Sequence, residues 1–110
     1  MQLSRELLAV YTAMGFRPQN YFAPFSRFKE IEGLSFDEAV ESALEMGRYM
    51  QAHDVRSRTS MHEDLLNGRR TESEEIFRPL LDKAQELGVD VPAFRSVYRV
   101  MAVLNHHLRA

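Results

Sequence analysis

The stretch "TSMHEDLLNGRRTE", residues 59–72, gathers many of the chain's reactive side chains. It holds a serine at 60, carboxylates at 63, 64 and 72, adjacent arginines at 69 and 70, and a threonine at 71. Ser60 with Glu63, and Thr71 with Glu74, each have the spacing of a capping box, in which a hydroxyl and a carboxylate satisfy the unpaired N–H groups of a helix start. Two helix starts one short helix apart bring two partial positive charges close together, with Arg69 and Arg70 between them. That combination suits a small oxygen-rich or anionic ligand. Glu72, in the first turn of the second helix, is placed to accept hydrogen bonds from ligand hydroxyls or to move a proton. The same residue types also make ordinary caps and a solvated surface, so spacing alone leaves both readings open.

The elements that must hold these residues are helical. In "LSFDEAVESALEMGRYMQAHD" Ser35 and Glu38 form a further capping box, and Phe36, Ala39, Val40, Ala43, Leu44, Met46 and Met50 recur at three- and four-residue steps. A helix over about 36–52 follows. Behind Thr71 the stripe Ile76, Phe77, Leu80, Leu81, Ala84 and Leu87 predicts another, stopped by Gly88 at a position that wants a positive φ. Pro79 lies inside it, where it predicts a kink or a separate first turn. Pro92 suits the start of a last helix whose apolar face is Phe94, Val97, Tyr98, Met101, Val103 and Leu104. At the N-terminus "SRELLAVYTAMGF" reads as a helix with Leu7, Leu8, Tyr11 and Met14 inward. The segment "RPQNYFAPFSRFKEIEG", with two prolines and four aromatics, reads as irregular and pinned to the core. The fold class is all-α, about five main helices in one domain over 1–110.

Composition narrows the function. A charged fraction of 27% and a hydrophobic fraction of 45% are those of a soluble globular chain. A net charge of −2 gives no basic field for nucleic acid, and the chain has no cysteine for disulfides or thiolate chemistry. No apolar run is long enough for a membrane span, and "MQLSRELLAV" lacks the layout of a signal peptide, so the expectation is cytoplasmic. His53, His62, His106 and His107 show no metal-ligand spacing, and no metal site is expected. The segment "HDVRSRTS" reads as a solvated hinge leading into the 59–72 stretch.

Spacing and residue type over "TSMHEDLLNGRRTESEEIFRPLLDKAQELGVDVP" resemble the C-terminal domain of the ketopantoate reductase (2-dehydropantoate 2-reductase) family. The resemblance runs through Ser60, Met61, Asp64, Gly68, Arg69, Thr71, Glu72, Ala84, Gly88 and Pro92. It implies a bundle like the helical C-terminal domain of 6-phosphogluconate-dehydrogenase-like reductases. In that family a 2-oxo acid is reduced to a 2-hydroxy acid with NADPH, on the route to pantothenate. An N-terminal Rossmann domain carries the dinucleotide and the helical domain closes over the substrate. Carried over, Ser60 and Glu72 bind substrate, Glu72 supports the catalytic proton network, and Arg69 or Arg70 meets a carboxylate or an interface. A homodimer is also expected.

The departures are as informative. No G-x-G-x-x-G occurs, so no cofactor-binding residue is assigned here, and the chain by itself is expected to be inactive. The family's lysine, followed by asparagines at four and eight residues, has no counterpart at Lys29 or Lys83. Arg5 is followed at those offsets by Ala9 and Ala13. A second reading, from a different class, is a non-catalytic helical module that dimerises or docks a partner.

Overall fold

The computed structural model describes residues 1–19 and 26–108. It is all-α, with no strand among the described residues: α1 (Gln2–Ala13), α2 (Ser26–Glu32), α3 (Phe36–Ala52), α4 (Ser60–Leu66), α5 (Ser73–Leu87) and α6 (Pro92–His107). The helices fall into two compact units, Met1–Arg56 and Ser57–Ala110.

In the first unit α1 packs on α2, and Leu8, Ile31 and Ala39 form a buried cluster with Met1, Phe28 and Leu34 against it. α2 is a sixth helix, lying where the sequence reads as irregular. At seven residues it is too short to show a periodic stripe. Phe28 pins it to the core as expected, whereas Tyr21, Phe22 and Phe25 lie outside the described residues. The buried residues of α1 are Glu6, Leu8 and Val10, whereas Tyr11 and Met14, expected inward, are exposed. The Arg5 guanidinium ties α1 to the start of α3. It donates to the Leu34 carbonyl at 2.9 Å and sits 5.5 Å from the centre of the Phe36 ring. α3 begins where Ser35 accepts from the Glu38 N–H at 3.2 Å, but of its apolar residues only Ala39 is fully buried.

The second unit positions the candidate site. α5 and α6 form a hairpin across the short Gly88–Val91 connection. Gly88 adopts φ +70°, its N–H bonds Gln85 O at 3.2 Å and the Val89 N–H bonds Ala84 O at 2.9 Å, the paired ending that a residue without Cβ accepts readily. Leu81 and Ala84 are buried, and the Phe77 and Phe94 rings meet edge to face at 5.0 Å. One turn nearer the start of α5, the Tyr98 hydroxyl donates to Glu74 and accepts from Arg78, which also pairs with Asp82 at 3.1 Å. The Tyr98 bond first, and Asp82 next, hold the Arg78 guanidinium above the ordinary arginine range.

α5 runs through Pro79 as one element, with no separate first turn. The half-buried stripe of α6 is Phe94, Tyr98, Met101 and Asn105, while Val97, Val103 and Leu104 are exposed. The polar Asn105 therefore sits in phase with the buried face, and its partners explain why.

Candidate functional site

α4 starts one residue earlier than the capping-box spacing implies. Thr59 is the cap, its hydroxyl accepting from the His62 N–H at 3.2 Å, and Ser60 is the first helical residue. The Ser60 hydroxyl is thus not used up in closing the helix. Glu63, the other half of the expected box, pairs instead with Arg58 at 2.8 Å. α4 ends on Asn67 and Gly68, the latter at φ +66°, with Gly68 N–H on Leu65 O at 3.1 Å and Arg69 N–H on Asp64 O at 2.8 Å. This reversal turns the chain back and sets Arg69 beside Asp64, Nε to Oδ1 at 3.2 Å.

The second helix start also departs from its box. Glu72, not Thr71, is the N-cap residue of α5, and its side chain makes no capping bond. The Thr71 N–H that Glu74 would accept in a box is taken by Asn105 Oδ1 at 2.8 Å, and Glu74 turns to Tyr98. Tertiary partners on α6 have displaced the local cap. The Thr71 hydroxyl instead accepts from the Ser73 N–H at 3.4 Å, closing the turn around Glu72 from one side chain earlier. Thr71 and Ser73 are 5% and 2% exposed, whereas Glu72 between them is exposed. The turn therefore buries its neighbours and presents its carboxylate.

Glu72 also lines a cleft between α4 and α5. Ser60, Met61 and Asp64 line it from α4, Glu72 and Ile76 from α5. Two residues singled out by the sequence, Ser60 and Glu72, share one small concavity. Arg69 adjoins it through its pair with Asp64. Arg70 does not line it: its Nε donates to the Asn105 carbonyl at 3.2 Å, at the last turn of α6, where a cation is favoured by the helix dipole. The cleft has about 10 Å³ of room, space for roughly one water. Chemically it offers a hydroxyl that can donate or accept, two carboxylates and an arginine one contact away.

Two larger hollows lie in the first unit. One of ≈ 650 Å³ is lined by Tyr11, Phe16, Arg17, Pro18 and Phe28 among others, and one of ≈ 350 Å³ by Arg27, Ser42, Glu45, Met46 and Tyr49. Neither contains a residue that the family resemblance singles out. Lys29 pairs with Glu32 on α2 and Lys83 with Glu86 on α5, and neither lines the Ser60–Glu72 cleft. Among the described residues no three of His, Asp and Glu converge as metal ligands, and no helix is long and apolar enough to cross a membrane.

Sequence reading missed Asn105. Its signal was present, an amide four residues after Met101 and seven after Tyr98 on one helical face, but an apolar stripe does not predict a polar member.

Comparison with known proteins agrees with the resemblance. The profile of the family described as "Ketopantoate reductase PanE/ApbA C terminal" matches residues 1–105. A curated 2-dehydropantoate 2-reductase of Halobacterium salinarum is 32% identical over 71 residues. The aligned stretch is 64% of this chain and 22% of that relative, so the chain spans only a minor part of the relative it matches. No solved structure matches. With the family profile matching 1–105, from α1 into the last turn of α6, the chain belongs to the ketopantoate reductase family, as its C-terminal domain.

Proposed function

We propose that residues 1–110 are the substrate-side helical domain of an NADPH-dependent reductase that converts a 2-oxo acid, ketopantoate, to its 2-hydroxy acid. The observation that carries this reading is the convergence of Ser60 and Glu72 on one cleft between α4 and α5. The family match supplies the reaction class. Reduction of a 2-oxo acid delivers two electrons to the carbonyl carbon and a proton to its oxygen. This chain's part is to place the substrate and manage that proton. Ser60 hydrogen-bonds a substrate oxygen. Glu72, exposed and free of capping duty, takes a substrate hydroxyl and belongs to the proton network. Arg69, held by Asp64 at the edge of the cleft, is the nearer of the two arginines to a substrate carboxylate.

The described residues do not fit a dinucleotide. They contain no strand, and the sequence contains no glycine-rich strand–helix turn. NADPH therefore belongs to a Rossmann domain outside these residues, which also completes the cleft. The ≈ 10 Å³ of room in this domain supports that division, since a 2-oxo acid needs walls that residues 57–108 do not supply. The test is ketopantoate-dependent NADPH oxidation by this chain together with a dinucleotide-binding domain, on one polypeptide or added separately. Turnover that requires both supports the reading, and none in any combination rejects it.

A second reading, homodimerisation or partner docking, is favoured by one feature. Val100 and Val103 on α6 are 60% and 62% exposed, continuous with Val97 and Leu104. Sedimentation of the chain, with and without Val103→Lys, checks it. A concentration-dependent dimer lost in the variant supports self-association through α6.

A further inference from the structure

The turn that presents Glu72 is not held by its own helix. Asn105, thirty-odd residues away on α6, makes every tertiary bond to it, and the set is saturated. Its Oδ1 accepts from the Thr71 N–H at 2.8 Å and the Thr71 hydroxyl at 3.0 Å. Its Nδ2 donates to the Thr71 carbonyl at 3.2 Å and to Ser73 Oγ at 2.8 Å. Its own carbonyl accepts from Arg70. The amide orientation follows from the partners: a backbone N–H can only donate and a carbonyl can only accept, so Oδ1 and Nδ2 cannot exchange. The Thr71 and Ser73 hydroxyls are also bonded to each other at 3.1 Å, leaving no member of the group unsatisfied. Residues 70, 71 and 73 are thereby tied to one side chain and one carbonyl, and Glu72 is the residue enclosed. Its backbone (φ −85°, ψ 22°) lies in the bridge region between helix and strand, and its carbonyl accepts the first bond of α5 from Ile76 at 3.0 Å.

We propose that Asn105 is a positioning residue for Glu72: it clamps the Arg70–Ser73 turn so that the carboxylate is aimed into the Ser60–Glu72 cleft. This rests on the role given to Glu72 above. Asn105 does not line the cleft and touches no substrate. It acts only through the turn.

The test uses the active assembly of this chain with its dinucleotide-binding domain, with three variants and their combinations. Asn105→Ala removes the clamp. Thr71→Val removes only the hydroxyl bonds and keeps the backbone pair, so it serves where Asn105→Ala does not fold. Glu72→Gln removes the group being aimed. Misplacing a reacting group by about 1 Å costs roughly 10²-fold, so kcat/KM of folded Asn105→Ala should fall by about that factor, and Thr71→Val by less. In a Glu72→Gln background, Asn105→Ala or Thr71→Val should change kcat/KM by no more than about twofold, because the group they aim is gone. A full, multiplicative loss in that background overturns the proposal. So does unchanged kcat/KM in folded Asn105→Ala, or in Thr71→Val if the alanine variant does not fold.

Failure of the functional reading is distinguishable. If Glu72→Gln itself leaves turnover intact, Glu72 is not in the machinery, and the clamp is then decided in the chain alone by NMR. Three-bond couplings of the Glu72 side chain should report one rotamer in the native chain and averaged rotamers in the clamp variants. Unchanged couplings overturn the clamp irrespective of activity.

Discussion

At the scale of single residues, the consequence of the site geometry is that neighbouring hydroxyls have separate duties. Thr59 closes α4, so Thr59→Ala should cost about 1 kcal/mol of stability, read as a denaturant midpoint, with little change in KM. Ser60 closes nothing and lines the cleft, so Ser60→Ala should leave the midpoint alone and raise KM about tenfold, the worth of one hydrogen bond to substrate. The capping-box pattern points to Ser60 as the cap and would assign these effects the other way round. Glu72 follows the same logic. Exposed and without a capping bond, it should tolerate Glu72→Gln within about 0.5 kcal/mol of native stability. Residue types and their proximity were legible in "TSMHEDLLNGRRTE". What spacing could not decide was which hydroxyl each helix start would use, because long-range partners such as Asn105 and Tyr98 compete for the same N–H and carboxylate groups.

At the scale of elements, punctuation was read well and phase was read poorly. α3 begins behind Ser35 and ends at Ala52, and Gly88 and Pro92 stand where a positive φ and a helix start were expected. These are local signals, set by backbone geometry within a turn. Which side of a helix is buried depends on its neighbours. Tyr11, Met14, Val103 and Leu104 are apolar but outward, while Glu6 and Asn105 are polar and inward or half-inward. α2, at seven residues, is too short to show a periodic stripe. Two predictions belong here. Tyr98→Phe removes the hydroxyl that ties Glu74 and Arg78 across the α5–α6 hairpin, and should lower stability by about 1 kcal/mol. The Arg78 contribution does not add a pH dependence at ordinary pH. Its folded pKa is raised, so the charge is present at all lower pH and is lost only above the arginine range. At the end of α3, Asp54 holds φ +51° with the Val55 N–H on Met50 O at 2.8 Å, a conformation glycine adopts at less cost. Asp54→Gly should therefore raise the denaturant midpoint by roughly 0.5–1 kcal/mol, since the ion pair it gives up with Arg56 is almost fully solvated.

At the scale of the whole molecule, the chain is the C-terminal domain of one family. Its cleft brings together a hydroxyl, carboxylates and an arginine but encloses about one water, and its two lysines are engaged elsewhere in ion pairs. On the proposed reading, a substrate-sized chamber at this cleft and the dinucleotide come from outside these residues. The family and its C-terminal domain were legible in the sequence, from the residues and spacing between Ser60 and Pro92. That Ser60 and Glu72 would share one cleft is the expectation from two neighbouring helix starts, whereas the Gly68 reversal and the hold of α6 on the second turn were not legible. The most direct measurement is ketopantoate-dependent NADPH oxidation with the dinucleotide-binding domain present, native chain against Glu72→Gln. If Ser60 and Glu72 face one substrate, the native assembly turns over and the variant, folded to the same midpoint, falls by roughly 10²–10⁴-fold. Equal turnover of the two proteins, or loss of turnover only in step with loss of folding, would contradict it.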